Sequence, residues 1–128
     1  RERLVFIAPA DVSEDNVEAL TAAHPFIWFS RMTWAGQQIE RLLSARGLKP
    51  REGMEADSLE AIAALVAHGL GVSVVPERPG APLPETLRRL PLSGPDAFRR
   101  LALIERSTNS NARLAAALLE ELRLAAGP

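Results

Sequence analysis

Two short polar segments, each directly ahead of a helical pattern, carry the side chains best suited to hold a small ligand. Ser30 to Thr33 follows the apolar run Phe26 to Phe29, and Asp57 to Glu60 follows residues 51–56. In an open parallel sheet, ligands bind at the carboxyl ends of the strands, where the following helices present free backbone N–H groups. Hydroxyl and N–H groups at both segments would suit a carboxylate or another small anion.

The same residues also have a purely structural explanation. Thr33, Asp57 and Ser58 are residue types that cap helix N-termini, so their own helices would satisfy them. Every helix start needs such a cap, whether or not it binds anything. The pattern alone therefore leaves both interpretations open.

No residue pattern indicates catalysis. His24 and His68 each fall at the end of a predicted helix, where a cation suits the helix dipole. The sequence has no cysteine, no His-Glu-x-x-His motif, no nucleophile elbow and no Walker loop. We therefore expect a protein that is not an enzyme and has neither a cofactor nor a metal site.

The glycines of LVAHGLGVSVVP, Leu65 to Pro76, do not form a nucleotide-binding loop. A dinucleotide loop follows a strand and opens a helix, whereas here a helical pattern precedes the glycines and valines follow them. We interpret Gly69 as a helix C-cap with positive φ and Gly71 as a tight turn into a strand.

An alternation of strands and helices is predicted to position these segments. Apolar runs predict strands at 4–8, 26–29, 51–56 and 72–75. The intervening helices are expected to begin at an N-cap at Ser13, at Trp34, and after Asp57 or Ser58. This order predicts parallel pairing, with helices packed against the sheet.

The pattern changes after Pro76. Residues 76–85 carry four prolines and one glycine, which predicts an ordered surface loop. Residues 87–92 suggest a short edge strand, 100–105 another strand, and 111–125 an amphipathic helix.

Composition fits one compact domain without a strongly charged partner. The 128 residues are 47% hydrophobic, and 15 basic against 16 acidic residues give a formal net charge of −1. Such a chain offers no attractive field to nucleic acid. The apolar run Leu4 to Ala8 is too short for a signal peptide core or a membrane span, so we expect a cytoplasmic location, with residues missing upstream.

The segments PFIWFS, IERLLSARGLKP, EADSLEAIAALVAHGLGVSVVPE, LPL and RRLALIER, followed by a final amphipathic helix, resemble in order and spacing the effector-binding region of LysR-type transcriptional regulators. The resemblance implies an α/β fold, a three-layer lobe of the type 2 periplasmic-binding-protein-like fold with a central, mostly parallel sheet flanked by helices. It implies a crossover strand at 1–8 from a missing first lobe, the second lobe at 9–98, and a return crossover strand and C-terminal helix at 99–128.

The resemblance further implies how the protein acts. A small effector, expected to be anionic, would bind in the cleft between the lobes. The protein would form a homo-oligomer, a dimer or tetramer at full length, would bind DNA only through a missing N-terminal winged helix-turn-helix, and would not bind membranes. The effector contacts predicted on this basis are Ser30, Arg31, Met32, Thr33, Asp57, Ser58 and Leu59.

Two alternatives share this fold. One is a lobe of a solute-binding protein of a transport system, and the other is an amino-acid-metabolism enzyme domain such as that of prephenate dehydratase. Upstream residues would separate a regulator from a transporter, because a helix-turn-helix indicates the first and a secretory signal the second. For the enzyme, Asp57 is the one plausible acid or base at the predicted strand ends.

Overall fold

A computed structural model describes residues 1–126, which divide into two compact units. The first unit spans Glu2–Arg99, and the second comprises Arg1 and the residues from 100 onward. The first unit has six strands and three helices, and the fourth helix belongs to the second unit. The strands are β1 (Glu2–Pro9), β2 (Pro25–Phe29), β3 (Arg51–Ala56), β4 (Ser73–Pro76), β5 (Leu87–Pro91) and β6 (Phe98–Arg99). The helices are α1 (Val17–Ala23), α2 (Trp34–Ala45), α3 (Leu59–Ala67) and α4 (Ala112–Ala126).

The sheet of the first unit has a parallel part and an antiparallel part. β2 pairs with β3 in parallel, and a parallel bridge from Phe26 to Val72 joins β2 to the start of β4. β1 lies between β4 and β5 and is antiparallel to both. The short β6 pairs with the beginning of β1, also in antiparallel fashion.

The expected α/β fold is confirmed, but the prediction of a mostly parallel sheet holds only for β2, β3 and the start of β4. Twelve-residue α2 spans about 18 Å, enough to return the chain along β2. Seven-residue α1 spans only about 10 Å, whereas eight-residue β1 extends about 26 Å. A helix this short does not bring the chain back along β1, and β2 runs in the opposite direction to β1.

Two buried clusters, one on each face of the sheet, make the three layers. Leu4, Phe6 and Ala8 of β1 belong to the cluster that includes Leu20 of α1 and Leu42 of α2. Alternate β1 residues Val5 and Ile7 pack with Ile62 and Val66 of α3 on the opposite face. The period of two along β1 therefore places α1 and α2 on one face and α3 on the other.

The predicted roles of the paired glycines are confirmed. Gly69 follows α3 with φ of 79°, a conformation that a residue with a Cβ adopts at a steric cost. A Cβ on Gly71 would lie closer than 3.0 Å to the carbonyl oxygen of Pro25. Gly71 thus lets the chain pass close to β2 before Val72 pairs with it.

The predicted N-cap of α1 was wrong by three residues. Asn16, not Ser13, caps the helix, and its Oδ1 accepts the N–H of Ala19 at 2.8 Å. The guanidinium of Arg88 donates to the carbonyl oxygens of Val12 and Glu14. These bonds hold the segment ahead of Asn16 as a loop.

In the second unit, the strand predicted at 100–105 is absent, and residues 101–106 form neither helix nor strand. Its alternating leucines include Leu101, which is 68% exposed, and a strand forms only where a neighbour satisfies its backbone groups. The predicted final helix is confirmed as α4. Leu114, Leu118, Leu122 and Leu124 on it are all at least half exposed.

Candidate functional site

The two predicted ligand-binding segments meet at one edge of the sheet. Phe29 of β2 lies opposite Ala56 of β3, and the N–H of Ser30 donates to the carbonyl oxygen of Ala56 at 2.9 Å. Because β2 and β3 are parallel, the segment before α2 and the segment before α3 leave the sheet side by side. We call this end of the sheet, made by Ser30–Thr33 and Asp57–Leu59, the carboxyl edge.

At the start of α2, Thr33 is a helix cap with tight local geometry. Its Oγ1 accepts the N–H of Gly36 at 3.0 Å and donates to the carbonyl oxygen of Ser30 at 2.6 Å. A Cβ on Gly36 would lie closer than 3.0 Å to that same carbonyl oxygen. The first turn of α2 therefore packs directly on the backbone that ends β2, and the capping role of Thr33 is realised.

Arg31 is already paired within the chain. Its backbone N–H donates to Glu55 Oε1 at 3.1 Å, and its Nε lies 3.4 Å from Glu55 Oε2. The guanidinium also lies 4.0 Å from Glu52 and sits over the Trp28 ring, 5.0 Å from its centroid. The backbone N–H of Arg31, with further hydrogen bonds from Ser30 and the Arg31 side chain, lowers the pKa of Glu55. An anionic ligand at Arg31 would compete with this carboxylate.

Met32 and Trp34 project into solvent beside the Thr33 cap. Met32 is 88% exposed and Trp34 is 92% exposed, whereas Trp28 on β2 is buried. The sequence predicted Trp34 only as the first residue of a helix. A large aromatic side chain beside a polar segment was the signal that could have added it to the site.

At the start of α3, Ser58 is also a cap, and the helix supplies its own carboxylate. Ser58 Oγ accepts the N–H of Ala61 at 3.2 Å and donates to Glu60 Oε2 at 3.1 Å. Glu60 forms an ion pair with Arg78. Its own backbone N–H lowers the pKa of Glu60 most, followed by Arg78 and Ser58.

The remaining residues of the second segment divide between solvent and core. Asp57 is exposed. Leu59 packs partly buried against the cluster under α3. A ligand at this position would therefore meet the backbone of Leu59 rather than its whole side chain.

The first unit begins and ends at this same end of the sheet. Glu2 of β1 lies opposite Arg99 of β6, and their side chains form a largely buried ion pair. β1 is antiparallel to β4, so its first residues lie at the end where β2, β3 and β4 finish. The two ends of the unit are thus paired to each other on the side that carries Ser30 and Asp57.

The histidines have structural partners. His24 Nε2 lies 3.0 Å from Glu14 Oε2, and this contact is the largest cause that lowers the pKa of Glu14. His68 ends α3, and its Nδ1 lies 2.7 Å from the carbonyl oxygen of Ala64. Residues 1–126 contain no cluster of three or more side chains of the types that hold metal ions. None of the helices within this range combines the length and hydrophobicity needed to cross a bilayer.

The sheet, the helices on both of its faces and the carboxyl edge identify the fold as an α/β lobe of the periplasmic-binding-protein-like class. The LysR substrate binding domain model matches residues 1–127, and the chain belongs to that family of domains from transcriptional regulators. No curated protein sequence matches the chain significantly.

Solved structures support the same fold. The reduced form of the OxyR regulatory domain from Pseudomonas aeruginosa is 25% identical, with a TM-score of 0.71 over 96% of this chain and 62% of that one. The CcmR regulatory domain of Synechocystis PCC6803 in complex with 2-PG is 23% identical, with a TM-score of 0.64 over 98% and 63%. The effector-binding domain of QuiR in complex with shikimate is 18% identical, with a TM-score of 0.61 over 73% and 47%. This chain therefore spans between 47% and 63% of the length of these three structures.

Proposed function

We propose that this domain binds a small anionic effector at the carboxyl edge, in a cleft closed by the first lobe of a longer regulator. The effector contacts in this proposal are Ser30, Arg31, Met32, Thr33, Asp57, Ser58 and Leu59. Binding favours one arrangement of the lobes by its differential affinity and thereby alters how a separate domain engages DNA.

The observation that carries the proposal is the position of the two paired ends of the first unit. Glu2 and Arg99 lie together at the end of the sheet that also carries Ser30 and Asp57. Any first lobe joined through these residues approaches that end. A molecule held there contacts both lobes and the crossings between them.

The charge of the carboxyl edge favours the start of α2 over Arg31 as the anion-binding element. The first turn of α2 contains no acidic residue, whereas α3 has Glu60 in its first turn. Glu55 already partners Arg31. In this proposal the anion is held by the N–H groups and hydroxyls before α2, with Met32 against its apolar part.

The wider function follows the family. We expect a homo-oligomer in the cytoplasm, a dimer or tetramer at full length, with DNA bound by a domain outside this chain. No catalysis, cofactor or membrane binding is part of the proposal. The match to the LysR family favours the regulator over a lobe of a transport system.

The proposal is tested in the full-length regulator by thermal shift with small carboxylates, including shikimate, followed by Ser58→Asp. Asp caps a helix as well as Ser does, but its carboxylate would face Glu60, to which Ser58 Oγ donates, so we expect a modest fall in melting temperature with the fold retained. A carboxylate facing an anionic effector should weaken binding by at least about tenfold. If no carboxylate stabilises the protein, the proposal of an anionic effector is wrong. If Ser58→Asp leaves the affinity unchanged, Ser58 is not an effector contact.

A further inference from the structure

The last stretch of the first unit is attached to α2. This return segment, residues 92–99, consists of a turn followed by β6. Its Leu92 and Ala97 belong to the same buried cluster as Ile39 and Leu42 of α2. The return segment and α2 therefore share one apolar core.

Side chains of α2 bind the return segment at two positions. Arg46, the C-cap of α2, donates to the carbonyl oxygen of Ser93 and pairs with Asp96. Nearer the start of the helix, Gln38 Nε2 donates to the carbonyl oxygen of Phe98 at 2.7 Å, and this bond is partly buried. The two attachment points are about 12 Å apart along the helix axis. The return segment is thus held along α2 rather than at a single contact.

The bond to Phe98 also connects α2 with the beginning of the first unit. Phe98 belongs to β6, and the next residue, Arg99, forms the largely buried ion pair with Glu2 of β1. The N–H of Leu4 on β1 donates to the carbonyl oxygen of Ala97 at 2.8 Å. One side-chain hydrogen bond therefore joins α2 to both paired ends of the unit.

Gln38 lies on the same face of α2 as the exposed Trp34. Residues four positions apart are neighbours on a helix surface, separated by one turn. Trp34 is the first residue of α2 and follows the Thr33 cap. The start of α2, where we place the effector, is therefore one helical turn from the bond to β6.

We propose that Gln38 is a positioning residue that couples β6 to the start of α2, a role that rests on the effector-binding function proposed above. Effector binding restrains the start of α2, and the Gln38 bond extends this restraint to Phe98 and to the paired ends Glu2 and Arg99. Gln38 does not touch the effector. Its loss should therefore change the response of β6 to the effector and leave the affinity for the effector nearly unchanged.

Hydrogen–deuterium exchange of the full-length regulator tests the proposal, with and without the carboxylate that gives the largest thermal shift. In the wild type, we expect this carboxylate to slow amide exchange in residues 30–36 and in residues 92–99. Gln38→Leu removes the donor at similar side-chain volume. It should keep the protection of residues 30–36, bind the carboxylate within about twofold of the wild type, and lose the protection of residues 92–99.

Gln37→Leu is the matched control. Gln37 is exposed on the same helix, and its side chain forms no hydrogen bond within residues 1–126. Without ligand, Gln38→Leu should exchange residues 92–99 at least about threefold faster than the wild type, and Gln37→Leu should exchange them at the wild-type rate. Unchanged exchange in β2 shows that each variant is folded.

Gln38→Glu is the second variant, because it keeps the shape of the side chain and replaces the amide donor with a carboxylate. It should behave as Gln38→Leu does. Retained effector-dependent protection of residues 92–99 in both Gln38 variants overturns the proposal. Loss of protection at residues 30–36 as well, with weaker binding, also overturns it, because Gln38 then supports the effector site itself.

Failure of the effector site gives a different result. If no carboxylate slows exchange in residues 30–36, the proposed site at the start of α2 is wrong. Faster ligand-free exchange of residues 92–99 in the Gln38 variants alone would then still support the link from α2 to β6. Equal ligand-free exchange in the Gln38 and Gln37 variants overturns that link.

Discussion

α2 and α3 both begin with a hydroxyl cap directly after a parallel strand, yet their first turns differ in packing and charge. α2 has Gly36 at the third helical position, pressed on the backbone of Ser30, whereas α3 has the exposed Ala61 there. The first turn of α3 has its own acid, Glu60, bound by Ser58 and Arg78, and the first turn of α2 has none. The same sequence pattern therefore produces two different helix starts. The first turn of α2 packs tightly on the backbone that ends β2 and contains no acidic residue. The first turn of α3 packs less tightly, and its Glu60 is already paired with Arg78.

The largest expected loss of stability comes from disturbing the packing of the first turn of α2 on the backbone of Ser30. Gly36→Ala forces a Cβ into the Ser30 carbonyl oxygen and should lower the free energy of unfolding by about 3 kcal/mol. The matched change Ala61→Gly at the same position of α3 meets no such contact. It should cost about 1 kcal/mol, from helix propensity alone. Urea unfolding measures both, and equal losses would show that the two helix starts are seated alike.

Loss of the N-cap should also lower the free energy of unfolding more at α2 than at α3. Thr33→Ala removes two part-buried hydrogen bonds of 3.0 and 2.6 Å and should cost about 2 kcal/mol. Ser58→Ala removes two exposed bonds of 3.2 and 3.1 Å and should cost about 1 kcal/mol. If urea unfolding shows a larger loss of unfolding free energy for Ser58→Ala than for Thr33→Ala, the α3 cap stabilises the fold more than the α2 cap, contrary to this account.

The smallest expected effect is the pH-dependent contribution of Glu60, at the start of α3, to the stability of the fold. The pKa of Glu60 is lowered from 4.5 in the folded chain. Its contribution is therefore present above pH 4.5 and disappears as the pH falls through the lowered folded pKa. Glu60→Gln should be less stable than the wild type at neutral pH, and the difference should vanish at about pH 2.

Glu40→Gln is the matched control, because Glu40 is exposed on α2 and forms no ion pair within residues 1–126. Thermal melts across the pH range compare the two variants. A Glu60→Gln difference that persists unchanged in acid would contradict the assigned contacts of Glu60.

Elements with strong local patterns were predictable from the sequence, and contacts set by strand register were not. Gly69, the Thr33 cap and the start of α2 follow from local rules, which also narrow the cap of α3 to Asp57 or Ser58. The pairing of Arg31 with Glu55 joins residues 24 positions apart, and it depends on the β2–β3 register. The direction of β1 depends on the path through α1, which periodicity does not encode. The absent strand at 100–105 shows that alternation alone does not supply a pairing partner.

The central claim, that the effector lies at the start of α2, is tested most directly by fluorine NMR of the full-length regulator labelled with 5-fluorotryptophan. Trp34 is exposed at this start, and Trp28, buried under Arg31, gives a second signal for comparison. Trp34→Phe and Trp28→Phe assign the two signals. With the carboxylate that most stabilises the protein in the thermal screen, we predict a saturable shift of the Trp34 signal larger than that of Trp28. A saturated complex in which the Trp34 signal does not move would contradict the claim.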